Sequence, residues 1–242
     1  FGDGNTSTLQ NPVHTYATPG SYYVTLNGNN SSGCTDQEIQ VITVCPNDTI
    51  YSLSKSNNRW YLYTNAGVDF SSGSPVAVTN GVMNGGAEGG ATISHPVTGN
   101  LLFYTNGVNV WNSIHAIMPN GSGLFGNVSA EQAALIIPFP GDTSKYYIFT
   151  ISGSSSAVGY LGQQVHYSVV DMTLNGGLGD VVVGQKNIFV IASTGSEALS
   201  AITKTNATCN TNAEYWVIVT PNGSCGTYYS FLVNSAGVSS SP

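Results

Sequence analysis

"EQAALIIPFPGDTSKYYIFT", residues 131–150, is the stretch on which the fold turns. It places a carboxylate, Glu131, five residues before Ile136, with small residues between them. An aromatic-rich run, Tyr146 to Thr150, follows. The same order occurs twice more in the chain. "EGGATI" starts at Glu88 and leads to "LLFYT"; "EALSAI" starts at Glu197 and leads to "YWVIVT". "RWYLYT", residues 59–64, reads as the second strand of an earlier unit. The first spacing, Glu88 to Glu131, is 43 residues, close to the length of one four-stranded propeller blade. The second, Glu131 to Glu197, is 66, and the excess fits a loop insertion around "SGSSSAVGYLG".

Working outward, the rest of the chain has almost no helical periodicity. Short or alternating apolar runs are bounded by Gly, Asn, Ser and Pro, as in strands joined by turns. Strands are expected over Tyr22–Leu26, Ile39–Val44, Trp60–Thr64, Leu101–Thr105, Leu135–Pro138 and Tyr146–Ile151. Further strands are expected over Val165–Val170, Ile188–Ile191, Leu199–Thr203, Tyr215–Thr220 and Tyr228–Val233. The expected class is therefore all-β, with sandwich, barrel and propeller as the architectures to weigh. A break in composition at "CPNDTIYSLSKSNNR" separates an opening module from the repeats. The expected organisation is a module over residues 1–45, a linker over 46–59 and propeller-like repeats over 60–242. Residue 50 to the end has room for about four blades. The last unit shows three strands before "NSAGVSSSP", so a larger propeller, cut short at its C-terminal side, is expected.

Composition narrows the function. The chain has 242 residues, 41% of them hydrophobic but only 7% charged, where about 25% is usual for globular domains. Its solubility rests on Asn, Ser, Thr and Gly, which suits an exported β-protein. Twelve acidic and five basic residues give a net charge of −7. That balance argues against nucleic acid, whose phosphates need a basic stripe, and against docking on an anionic membrane. No run approaches the roughly 18 apolar residues of a membrane-spanning helix, so no membrane insertion is expected. Phe1 begins directly in turn sequence, so a mature or truncated form is expected. The four cysteines, Cys34, Cys45, Cys209 and Cys225, form no C-x-x-C pair. Cys209 and Cys225 flank the strand Tyr215–Thr220 and form a candidate disulfide for an oxidising compartment.

The opening stretch, "FGDGNTSTLQNPVHTYATPGSYYVTL", carries Phe1-Gly2-Asp3-Gly4, Asn11-Pro12, His14, Tyr16, Pro19-Gly20, Tyr23-Val24 and Gly33-Cys34. In order and spacing these resemble the C-terminal half of a PKD (polycystic kidney disease) domain, an immunoglobulin-like sandwich. The resemblance implies an upstream half that supplies the first strands. The later region, about 60–238, resembles propeller-like repeats of surface proteins from gliding, type IX-secreting Bacteroidetes. "AGVDFSSGSPVAVTNG", "GNLLFYTNGVNVWN", "YSVVDMTLNGGLGDV" and "NSAGV" carry that likeness. It implies a long, multidomain, surface-exposed protein.

Few residues nominate chemistry. If Glu88, Glu131 and Glu197 each start the innermost strand of a blade, their carboxylates ring one mouth of a central channel and face a cation or polar ligand. The plainer reading is that each bonds backbone N–H groups between blades or faces solvent. Asp3 reads as a turn cap rather than a calcium ligand, since Ca²⁺ wants six to eight oxygens. His14 reads as a packed strand residue, and His95, His115 and His166 lack the spacing of a metal site. Trp60, Tyr61, Trp111, Tyr146, Tyr147, Trp216, Tyr228 and Tyr229 are candidates for stacking on sugars, though packing between blades is the ordinary role of strand aromatics. No G-x-S-x-G elbow and no local cysteine–histidine signature nominates a nucleophile. Asn-x-Ser/Thr sites fall at Asn29, Asn47, Asn120, Asn127, Asn206 and Asn222. Asp48-Thr49-Ile50 resembles the Asp-Ser/Thr-apolar O-glycosylation motif of Bacteroidetes, with Thr49 as acceptor in the expected linker.

The functional expectation is a non-enzymatic, extracellular cell-surface adhesin or filament segment without a cofactor. Its partners would be glycans, other surface proteins, neighbouring copies, or a chain that donates strands to the opening module. Two alternatives stand beside it. One is an accessory region of a secreted polysaccharide-degrading enzyme; the other is a polymerising extracellular subunit.

Overall fold

The computed structural model describes residues 1–18, 20–29, 33, 35–44, 55–84, 89–152, 163–192, 194–204, 213–221 and 228–242. Among them the chain is all-β, and its only helical segment of note is a single 3₁₀ turn, Asn175–Gly177. The chain divides into two compact units, the first holding β1 and β2 and the second holding every later strand.

In the first unit, β1 (Gly20–Asn29) and β2 (Thr35–Val44) form one long antiparallel ladder, from Gly20 opposite Val44 to Asn29 opposite Thr35. The segment before it is held by its own side chains. Asp3 accepts from the Asn5 N–H and its side-chain amide, and His14 Nε2 lies 2.7 Å from Asp3 Oδ2. The His14 ring stacks on Phe1, and the Tyr16 hydroxyl donates to the Phe1 carbonyl. Asp3 thus caps its turn as its sequence suggests. His14 differs from expectation: it lies outside any strand and serves as the partner of Asp3. Desolvation pushes the Asp3 carboxyl up, but the Asn5 and His14 hydrogen bonds outweigh it and hold it at about 2.

The second unit is four consecutive antiparallel meanders. The first sheet is β3 (Arg59–Tyr63), β4 (Ala66–Asp69) and β5 (Val76–Val78). The second is β6 (Ala91–Ser94), β7 (Leu101–Thr105), β8 (Asn109–Asn112) and β9 (Ile117–Ser122). The third runs β10 (Ala134–Phe139), β11 (Asp142–Ile151), β12 (Gln164–Asp171) and β13 (Asp180–Val181), with β14 (Ile188–Ala192) also paired to β12. The fourth is β15 (Thr194–Lys204), β16 (Glu214–Pro221), β17 (Tyr229–Asn234) and β18 (Gly237–Val238). The last unit therefore has four strands rather than the expected three. The fourth is the two-residue strand that follows the Asn234–Gly237 hairpin.

Turn chemistry explains the tight links. Between Phe139 and Asp142 the chain turns on Pro140-Gly141, with Pro fixing φ and Gly141 at φ +85. Asn65, at φ +59, closes the β3–β4 hairpin, a backbone region that asparagine tolerates.

Strand alternation sends successive side chains to opposite faces, and each gap between consecutive sheets is filled from both sides. Tyr61, Met83, Leu101, Tyr104 and Trp111 fill the gap between the first and second sheets. Ile93, Phe103, Val110 and Met118 meet Ala134, Tyr146, Ile148, Val170 and Val181 between the second and third. Ile137, Tyr147, Phe149 and Val169 meet Leu199, Val217, Val219 and Phe231 between the third and fourth. Burying side chains of this size stabilises by about 1.5–3 kcal/mol each. Across these gaps β3 neighbours β6, β6 neighbours β10 and β10 neighbours β15, so the first strand of each sheet lies beside the first strand of the next; β9 also meets β13, and β11 meets β15.

Candidate functional site

The three lead-in motifs were the sequence's best candidates, and two lie close together. The Glu197 carboxylate, just inside β15, accepts from the Glu131 N–H at 3.0 Å and from the Gln163 side-chain amide at 3.4 Å. Glu131 itself is exposed. Glu88 lies outside the described residues, but its neighbour Gly89 sits directly against the Glu131 segment. A Cβ on Gly89 would fall 2.5 Å from the Glu131 carbonyl and 2.8 Å from the Ala133 nitrogen. The motifs therefore succeed one another in space, each against the next, and Glu197 bonds a backbone N–H across a sheet boundary. Among the described residues no three His, Cys, Asp or Glu side chains gather where they could hold a metal ion.

A second constellation was not legible as a site. Tyr61 stacks on Tyr104 at 4.7 Å between ring centroids, and Tyr104 stacks on Trp111 at 5.4 Å. His115, at φ +65 in the β8–β9 turn, packs across this stack. With Asn80 Oδ1 accepting from the Tyr61 hydroxyl, its amide donates to His115 Nε2 at 2.9 Å. Nδ1 then carries the proton and donates to Tyr104 Oη at 3.1 Å. Burial pushes the Tyr104 hydroxyl up to about 12, and burial followed by the nearby Arg59 charge pushes His115 down. The neutral histidine thus ties together two sheets. His166, between the rings of Phe125 and Phe189, is buried and pushed down by that burial, with no hydrogen bond to Nδ1 among the described residues.

The other sugar-stacking candidates divide clearly. Tyr61, Trp111, Tyr146 and Tyr147 are buried between sheets, while Trp60 and Tyr228 stand exposed and Trp216 and Tyr229 are half-buried. A cleft of ≈ 320 Å³ lies between β14 and the C-terminal segment, lined by Tyr167, Ile188, Phe189, Val190, Val238 and two serines. The Ser239 hydroxyl there already accepts from the Leu232 N–H and donates to the Ser241 carbonyl. Of the modification sites, Asn120 donates its side-chain amide to Asp180, and Asn127 Oδ1 accepts from Ser129. Thr49 and all four cysteines, with the Cys209–Cys225 pairing, lie outside the described residues.

Two further observations bear on location. Among the described residues no helix is long and apolar enough to cross a membrane. In the β1–β2 ladder Tyr23, Leu26, Ile39 and Val41 are exposed, while Tyr22 stacks on Tyr16. Compared with known proteins, no curated protein and no solved structure matches this chain. Residues 1–44 match the PKD domain family, whose domains are typically extracellular and of adhesion type.

Proposed function

We propose that the chain is a non-enzymatic segment of an extracellular surface protein, in which a PKD-type module is followed by propeller-type blades that hold binding loops on a rigid frame. The match of residues 1–44 to the PKD domain family carries this reading. The four meanders support its second half: their first strands lie side by side in chain order, as the innermost strands of blades do. A low density of charge with abundant Asn, Ser and Thr suits ligands recognised by hydrogen bonds, such as glycans or neighbouring surface proteins. The exposed aromatic rings of Trp60 and Tyr228 are the stacking surfaces for a sugar. A glycan array and pull-down on insoluble polysaccharide test this. Saturable binding that weakens in Trp60→Ala or Tyr228→Ala supports it. Absence of binding to every sugar and to isolated surface proteins removes it, and turnover of a polysaccharide by the chain itself removes the non-enzymatic part.

A further inference from the structure

A chain rich in asparagine and glycine carries a chemistry of its own. In an Asn-Gly pair the glycine nitrogen, once deprotonated, can attack the carbonyl carbon of the asparagine side chain, because glycine has no Cβ to obstruct the approach. The new C–N bond closes a five-membered succinimide, and the side-chain nitrogen leaves as ammonia. Water then opens the ring at one of its two carbonyls, giving aspartate or isoaspartate. The net change is asparagine plus water to a carboxylate plus ammonia, and it needs no oxidant or cofactor.

Asn-Gly pairs start at Asn27, Asn80, Asn84, Asn106, Asn120, Asn175 and Asn222. Gly85 and Asn222 lie outside the described residues, which leaves five pairs to compare. Attack needs a side chain free to turn toward the glycine nitrogen, and a nitrogen free to meet it. Four pairs are denied that freedom. Asn27 lies in β1, where its Oδ1 accepts from the Gln37 amide and Gly28 is paired with Asp36. Asn80 is held by Tyr61 and His115. Asn106 is buried, its Oδ1 accepting from the Val108 and Asn109 N–H groups and its amide donating to the Asn84 carbonyl. The Gly107 N–H donates to Thr105 Oγ1. Asn120 gives its backbone N–H and its amide to Asp180, and Gly121 behind it is buried.

Asn175 differs on each count. It opens the 3₁₀ turn between β12 and β13, and it is exposed together with Gly176 and Gly177. Among the described residues its side chain makes no hydrogen bond, and the Gly176 N–H donates none. A Cβ on Gly176 or Gly177 would meet nothing within 4 Å, so the turn has room to change shape.

We propose that Asn175 is a site of spontaneous deamidation, selected from the Asn-Gly pairs by the fold. The product carries one negative charge more than the −7 of the chain. In the isoaspartyl form the backbone also gains a carbon, which the open turn absorbs outside the Val170–Val181 and Asp171–Asp180 pairing. The modified chain therefore stays folded.

Incubation of the full chain at mildly alkaline pH, followed by peptide mass mapping and isoaspartyl methyltransferase labelling, tests this. Asn175 should convert about tenfold or more faster than Asn27, Asn80, Asn106 or Asn120, the rate equivalent of a hydrogen bond that must first break. In urea the five rates should converge, because unfolding frees every pair. Asn175→Gln should remove the first acidic band that wild type gains in isoelectric focusing, and circular dichroism checks that this variant is folded. Equal rates in the folded chain, or faster conversion at any of the other four, overturn the proposal. So does a folded chain whose Asn175 stays intact while the unfolded chain converts. A preference for Asn175 that persists in urea overturns it too, since neighbouring sequence and not the fold would then make the selection.

Discussion

Gly126 has no room for a side chain: a Cβ there would lie 2.2 Å from the Gly107 carbonyl, which is backbone and cannot swing away. Gly107 in turn holds φ +85, and a Cβ there would fall 2.8 Å from the Ala133 carbonyl. Gly123 differs, since it needs φ +74 but meets nothing within 4 Å. Gly126→Ala should therefore cost about 3 kcal/mol or more through overpacking, and Gly123→Ala about 1–2 kcal/mol through backbone strain alone. Urea unfolding of the two variants should rank them in that order, and equal losses would contradict the close approach. Protonation provides a second test at this scale. Burial holds both His115 and His166 below the ordinary histidine value of 6.5. The unfolded chain therefore binds their protons first. Their contribution is complete above about pH 6.5 and is lost as the pH falls through the lower folded values. The urea midpoint should drop between about pH 7.5 and pH 5, and His166→Leu should flatten part of that slope. A flat profile in the wild type would show that neither histidine is buried neutral.

Between elements, polar staples fix which sheet follows which. Asp180, at the start of β13, accepts from the Asn120 N–H and its side-chain amide in β9, and from the Val181 N–H. Nearby, Asn187 Oδ1 accepts from the Phe125 N–H, and its amide donates to the Gly123 carbonyl. Asp180→Ala leaves three donors without their acceptor in a nearly buried position, and should cost about 1–3 kcal/mol. Thermal melting of that variant beside Asn120→Ala measures the staple, and the double variant should lose less than the two single losses combined. None of these staples was legible. Asn120 reads in sequence as part of an Asn-x-Ser site, and its partner lies sixty residues on. The strands that escaped reading, β4, β5, β6, β8, β9, β13 and β18, share a cause. They are short or rich in Gly, Pro and Asn, as in "IMPNGS" of β9, and their pairing comes from neighbours rather than from intrinsic preference.

Over the whole second unit, stability is distributed among three gaps that share only sheets, not residues. Each behaves as a local interface in a linear series, as in repeat proteins. Phe149→Ala and Phe231→Ala, in one cluster, should each cost about 3–5 kcal/mol, and their effects should not add. Phe149→Ala and Met83→Ala lie in different clusters and should add within about 0.5 kcal/mol. Denaturant titration of the two double variants distinguishes a series of interfaces from a single cooperative core.

The sequence by itself determined the all-β class, the PKD likeness of the opening and the recurrence of one unit. Alternating apolar runs, turn residues and aromatic second strands are local properties, and β7 falls where "LLFYT" says it should. Only the tertiary structure decided which side chains face which gap. A strand turns each side chain over with every residue, so one bulge reverses a whole row. Ile93 and Ile136 occupy the same place in their motifs, yet they meet across the same gap, Ile93 from the second sheet and Ile136 from the third. By the same rule the structure, and not the motif, sets Glu197 against the Glu131 backbone and leaves Trp60 exposed.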